Sequence, residues 1–218
     1  VPLKVWTSAR FTIALPTGHR FPIEKYALLR DQLLRDGIVG RDDVLEPEAV
    51  SWSDVRRVHT SSWTTRLADG QLGPAELRRL GFPWSPALVE RARRAVGGTC
   101  ETADCALREG IAMNLAGGTH HAFPDRGEGF CVLNDVAIAL HKLLDAGRIA
   151  RAAIIDLDVH QGNGTHRVFA DDPRVFTFSM HGRRNYPFNK VPGSLDLEFD
   201  DGTEDETYLA ALRGALPD

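Results

Sequence analysis

The chain predicts an α/β fold: three layers, with a mainly parallel sheet between helices on both faces. Three observations lead there. Hydrophobic periods near 2 and near 3.6 alternate along the sequence, the pattern of strand–helix–strand units. The stretch "AAIIDLDVHQGNGTH" opens on an apolar run and then turns polar, as a buried strand does at its end. The 218 residues, 43% of them apolar, are enough to bury one large core. No linker rich in Pro, Gly or Ser, no fixed-period repeat and no low-complexity tract interrupts the sequence. Residues 1–218 are therefore assigned to one domain.

Taken in order, "RFTIAL" reads as the first strand. "FPIEKYALLRDQLLRDG" reads as a helix, with Pro22 near its start and Gly37 past its end. Helical sequence follows from about Ser53 to Leu80, interrupted near Gly70 and Gly73. "SPALVERARRAVGGTCETADCALREG" reads as two helical segments, broken or closely packed at Gly97 and Gly98. "IAMNL" is a short strand candidate. "NDVAIALHKLLDAG" reads as a helix capped by Asn134 and ended by Gly147, with Val136, Ile138, Leu140, Leu143 and Leu144 as its apolar residues. Strand "RAAIIDLD", a short helix after Gly164, strands "RVFTFSM" and "SLDLEF", and helix "DETYLAALRGAL" complete the order.

Composition narrows the function classes. A net charge of −4 leaves no footprint for nucleic-acid binding. No apolar run approaches membrane-spanning length, and the N-terminus lacks a signal-peptide pattern. Cys100, Cys105 and Cys131 form neither a C-x-x-C pair nor an even framework, so they read as reduced thiols of a cytoplasmic protein.

Ligands of open parallel sheets bind at the carboxyl ends of the strands. Asp156, Asp158 and His160 lie at one such end, and "GGTHHA" follows another if "IAMNL" is a strand. An extended strand sends every second residue to one side, so Asp-x-Asp-x-His allows the three side chains to converge. Buried carboxylates need a partner, and His with carboxylate ligands plus an open position suits catalytic zinc. The same spacing alone also fits an Asp that caps the next helix beside a surface His. His120 and His121 follow two glycines that let backbone approach closely. Paired imidazoles suit proton transfer, since one can be neutral while the other is charged. Taken alone, the pair also fits one packed and one solvated ring. His19, His59, His141 and His166 have no partner motif and read as structural, and Cys131 reads as a small buried apolar residue.

Together these motifs resemble the histone deacetylase family of the arginase–deacetylase superfamily, its class IV and bacterial members most of all. "GGTHHAFPDRGEGFCVLNDVAIA", "IIDLDVHQGNGT" and "FTFSMH" carry the resemblance, with weaker support in "ALPTGHRFPIEKY" and "LGFPWSPALVERARRAVGGT". The resemblance implies the arginase–deacetylase fold. It makes Asp158 and His160 two of three zinc ligands, with Fe²⁺ an alternative metal. It makes His120 and His121 the catalytic pair, Asp156 the carboxylate orienting His120, and Asn163 the partner of His121. Gly129 and Phe130 match one wall of the acyl tunnel, and Tyr186 or Phe188 the opposite wall. Ser179 and Asp156 match ligands of a structural monovalent cation, K⁺. The family's third zinc ligand, an Asp on a later strand, and its catalytic Tyr have no match before Asp218. The sequence therefore looks like the first two-thirds of a deacetylase domain, and residues 1–218 alone are expected to be inactive.

The function these readings predict is a zinc-dependent amide hydrolase that removes acyl groups from acyl-lysine peptides or proteins. Two alternatives stay open: a non-catalytic acyl-lysine binding module, and a hydrolase of acetylpolyamines or other small acylated amines.

Overall fold

A computed structural model describes residues 2–216. The chain forms two compact units, one ending at Ile149 and the other beginning at Ala150. Each holds a three-stranded sheet in which every strand pair is parallel, with helices as the other elements.

In the first unit the strand order is β2 (Val44–Leu45), β1 (Lys4–Trp6), β3 (Ala112–Asn114). The helices are α1 (Lys25–Arg35), α2 (Trp52–Val55), α3 (Ser61–Asp69), α4 (Pro74–Leu80), α5 (Pro86–Glu109) and α6 (Asp135–Asp145). α5 packs on β1, β3 and α6. The core of this unit gathers Trp63, Leu67, Leu80, Leu88, Val96, Leu133 and Ile138. All four tryptophans of the chain (Trp6, Trp52, Trp63 and Trp84) belong to this unit.

The helix ends follow from local chemistry. Thr60 caps α3, accepting from the Trp63 amide at 3.2 Å, and Gly70 ends it in the left-handed region at φ 72°. Gly73 and Pro74 open α4, where Glu76 accepts from the Gly73 amide at 3.0 Å. Ser85 and Pro86 do the same for α5, and Asn134 caps α6.

Three readings are corrected. "RFTIAL" is not a strand; the strand is the preceding "KVW". The Phe11 amide turns back to the Ser8 carbonyl, and Arg91 donates to the carbonyls of Ser8 and Phe11 at 3.3 and 2.8 Å. Those carbonyls are then taken and cannot serve a ladder. The stretch from Ser53 to Leu80 breaks once more than expected, between Val55 and Ser61, where the Thr60 amide donates to the Pro124 carbonyl. "SPALVERARRAVGGTCETADCALREG" forms one continuous helix of 24 residues. Gly97 and Gly98 are contact points in it: a Cβ on Gly97 would lie 1.8 Å from the Glu48 carbonyl oxygen, and one on Gly98 would lie 3.0 Å from the Asn114 side chain.

In the second unit the order is β4 (Ala152–Asp156), β5 (Val175–Gly182), β6 (Leu195–Phe199), with α7 (Asn163–Phe169) and α8 (Asp205–Ala215). The central β5 buries Val175, Phe178 and Met180. The register pairs Asp156 with Ser179 and Ser179 with Asp196, so a polar row crosses all three strands. Among the described residues no helix is long and apolar enough to cross a membrane. The three cysteines are buried, and burial pushes the Cys100 thiol up to about 12.

Candidate active site

In the first unit the chain leaves β3, turns at Leu115 and Ala116, passes Gly117 and Gly118, and delivers His120 and His121. Their ring centroids are 4.1 Å apart at an interplanar angle of 44°. His121 is buried and His120 partly so. The arrangement places one imidazole nearer solvent than the other, which suits passing a proton between water and a sheltered group.

Gly129 and Phe130 lie further along the same unit, and their amides donate to the carbonyls of Arg79 and Leu80 at the end of α4. Both residues have positive φ, 57° for Gly129 and 66° for Phe130. A non-glycine residue in that region is uncommon, and the surrounding packing holds it there. The Phe130 ring meets Phe21 and Phe82 at 5.3 Å each and His19 at 6.0 Å. Gly81 makes room for it, since a Cβ there would lie 2.6 Å from the ring.

In the second unit β4 ends at Asp156, and the strand alternation ends with it. Two short turns follow. Asp156 Oδ1 accepts from the Asp158 amide at 3.0 Å, and Asp158 Oδ1 accepts from the His160 amide at 2.8 Å. Short carboxylate side chains commonly bond the backbone two residues on in this way. The turns bring Asp158 Oδ1 and His160 Nδ1 to 3.0 Å, with both side chains about half exposed.

Asn163 is buried at the start of α7, where its Oδ1 accepts from the Gly164 amide at 3.0 Å. Ser179 is fully buried, with its hydroxyl 3.0 Å from His181 Nδ1. The Tyr186 ring lies 6.0 Å from the His160 ring, edge to face, while Phe188 is 82% exposed and meets Tyr186 at 6.4 Å.

Zinc with nitrogen and oxygen ligands has bonds of about 2.0–2.1 Å, which sets tetrahedral donor–donor edges of roughly 3.3 Å. The Oδ1 and Nδ1 atoms of Asp158 and His160 are close to that spacing and are the right kind of donor. They fit two corners of such a site. Among the described residues no group of three His, Cys, Asp or Glu side chains comes within metal-holding range.

Sequence reasoning missed the residues that brace these segments. Gln161 donates to Asp196 at 2.8 Å and accepts from the Val191 amide at 2.8 Å. His181, buried in β5, lies 3.8 Å from Asp196 and 3.9 Å from Glu198, and burial holds it below the usual imidazole range. Polar positions inside otherwise apolar strands, Asp196 in "SLDLEF" and His181 after "FTFSM", were the available signal. Asp135, buried at the start of α6, was missed as well.

Residues 19–218 match the histone deacetylase domain model. An uncharacterized protein of Picosynechococcus sp. is 46% identical over 208 residues, covering 95% of this chain and 69% of its own length. Histone deacetylase 2 of Arabidopsis thaliana is 33% identical over 208 residues, covering 91% of this chain and 54% of its own. The chain thus spans about half to two thirds of the relatives it matches. An HDAC homolog from Aquifex aeolicus shares the fold at a TM-score of 0.83 and 24% identity, over 97% of this chain and 63% of that one. An HDAC homolog complexed with SAHA gives the same values. The three-layer α/β fold is therefore that of the deacetylases, and the chain belongs to the histone deacetylase family.

Proposed function

We propose that the protein is a metal-dependent amide hydrolase that removes acyl groups from acylated lysine. Family membership makes deacetylation the first reading. The observation that carries it within this chain is the His120–His121 pair, two imidazoles ring against ring with only the second fully sheltered. In this reading His121 takes a proton from the attacking water and returns it to the departing lysine amine. General acid–base catalysis of this kind typically contributes ~10²–10⁴-fold. His120 is the second member of the relay; the family resemblance assigns Asp156 to His120 and Asn163 to His121 as orienting partners. Gly129 and Phe130 form one wall for the acyl-lysine stem. Tyr186, which meets His160, takes the other wall in preference to the exposed Phe188. Asp156 and Ser179, register partners on neighbouring strands, are assigned to a monovalent cation such as K⁺. Asp158 and His160 would hold a divalent ion, Zn²⁺ or Fe²⁺, whose Lewis acidity polarises a carbonyl and makes water more acidic.

The test is hydrolysis of an acetyl-lysine peptide by the protein as its cell produces it, before and after chelation. Turnover is expected to be lost with the metal and restored by Zn²⁺ or Fe²⁺. His121→Ala is expected to lower turnover by ~10²-fold with metal content kept, and His160→Ala to lower metal content itself. Unchanged turnover after verified metal removal overturns the mechanism. A second reading is a non-catalytic acyl-lysine binding module; peptide binding without turnover would select it. Preference for an acetylpolyamine over the peptide would move the substrate to small amines.

A further inference from the structure

Asp135 is fully buried, and burying a carboxylate is costly unless donors surround it. Four donors do so. Oδ2 accepts from the Thr99 hydroxyl at 2.5 Å and the Gly118 amide at 3.0 Å. Oδ1 accepts from the Thr119 amide at 2.8 Å and lies 2.6 Å from the Thr119 hydroxyl. All of them come from outside α6, on which Asp135 sits. The N-cap of that helix is already served by Asn134, whose Oδ1 accepts from the Ala137 amide at 3.1 Å. The carboxylate therefore ties the segment that precedes His120 to α5, which carries Thr99.

The same tripeptide, Leu133–Asn134–Asp135, grips the segment on both sides of the histidines. Before them, the Thr119 hydroxyl also lies 2.5 Å from the Leu133 carbonyl, and it accepts from the Asp135 amide at 3.2 Å. After them, Asn134 Nδ2 donates to the Ala122 carbonyl at 3.1 Å. His120 and His121 are the two residues between the tied points Thr119 and Ala122, so their backbone has little freedom. Gly117 allows the approach, because a Cβ there would lie 2.7 Å from Asp135 Oδ2.

We propose that Asp135, acting through Gly118 and Thr119, is a positioning residue that sets the orientation of the His120–His121 pair. The importance of this for turnover rests on the reading of that pair as the proton-transfer groups. Asp135→Asn replaces one acceptor oxygen by an NH₂ group that faces donors. Thr119→Val removes the hydroxyl at nearly constant volume, and Thr119→Ser keeps it.

The experiment compares the three variants with the unaltered protein by acetyl-lysine peptide kinetics and by the imidazole resonances of ¹⁵N-histidine-labelled protein. Asp135→Asn and Thr119→Val are expected to lower kcat by ~10–100-fold, the usual scale for an orienting partner. KM should stay within about twofold, since substrate binding is not the target. Thr119→Ser should recover most of the loss. The His120 and His121 resonances should move in the first two variants, with those of His166 and His181 unmoved. Folded variants that only melt earlier, with kcat and the His120/His121 resonances unchanged, overturn the proposal. If Asp135→Asn does not fold, the Thr119 pair decides. If the unaltered protein shows no turnover, the functional reading fails, and the resonances alone decide whether Asp135 positions the pair.

Discussion

His59 has no motif around it, yet it is 2% exposed and accepts from the Asn134 amide through Nε2 at 2.9 Å. The accepting nitrogen fixes the neutral tautomer, with the proton on Nδ1. That atom faces the backbone of Phe123 and Pro124 without a hydrogen bond of good geometry. Burial pushes the ring down from 6.5 to about 4. The unfolded chain therefore binds a proton that the folded one refuses between those values, and stability falls as the pH drops through that window. Stability is undiminished above pH 6.5 and has fallen by roughly 3 kcal/mol by the time pH 4 is reached. Urea unfolding from pH 7 to 4 should show this acid limb, and His59→Gln, which keeps an acceptor and cannot protonate, should flatten it. An acid limb of equal size in the variant would assign it to other groups. Asp158 and His160 were readable because their relation is local, two residues apart. His59 was not, since its partner lies 75 residues away and nothing in either segment announces the other. The same holds for Asp135 and the segment at Gly118: a buried carboxylate is recognisable as such only when its donors are known.

The helices show the same division. Those in the first unit, α2 apart, are bounded by glycine or proline, so α1, α4 and α6 were legible from Gly37, Gly73 and Gly147. The strand assigned to "RFTIAL" failed because the Phe11 amide turns back to Ser8 and Arg91, a residue of α5, takes the Phe11 carbonyl. β2, with two residues, is too short to show a period. Gly97 and Gly98 were ambiguous for a related reason, since a glycine pair can mark a break or a contact and only the neighbouring chain decides. This predicts opposite outcomes for one substitution in two helices. In an open helix position Ala is favoured over Gly by up to about 1 kcal/mol. Gly214 in α8 has no atom within 4 Å of a new Cβ, so Gly214→Ala should stabilise by ~0.5 kcal/mol. At Gly97 the new Cβ meets the Glu48 carbonyl at 1.8 Å, and backbone cannot step aside as a side-chain tip can. Overpacking of this kind costs ~1–3 kcal/mol or more, so Gly97→Ala should destabilise by ~2 kcal/mol or more despite its better helix propensity. Denaturant midpoints of the two variants check both signs.

At the scale of the molecule, the parallel α/β class was legible because period and order are properties of the whole string. The division at Ile149/Ala150 was not, because no change in composition marks it. We hold to one cooperative domain, a reading supported by a family match, residues 19–218, that spans both units. The expected result is coincident thermal transitions by every probe, the usual test of two-state unfolding. Separate midpoints would divide the chain into two domains. The placement of the tryptophans decides what each instrument sees. Excited at the red edge of their absorption, these 218 residues emit from the unit of Trp6, Trp52, Trp63 and Trp84 alone. The unit that holds Asp158 and His160 contributes only Tyr186 and Tyr208 and stays dark. An emission trace is thus a one-sided witness, and far-UV dichroism must supply the other side. Phe176, 46% exposed on β5, is where an indole could be installed so that the silent half reports for itself.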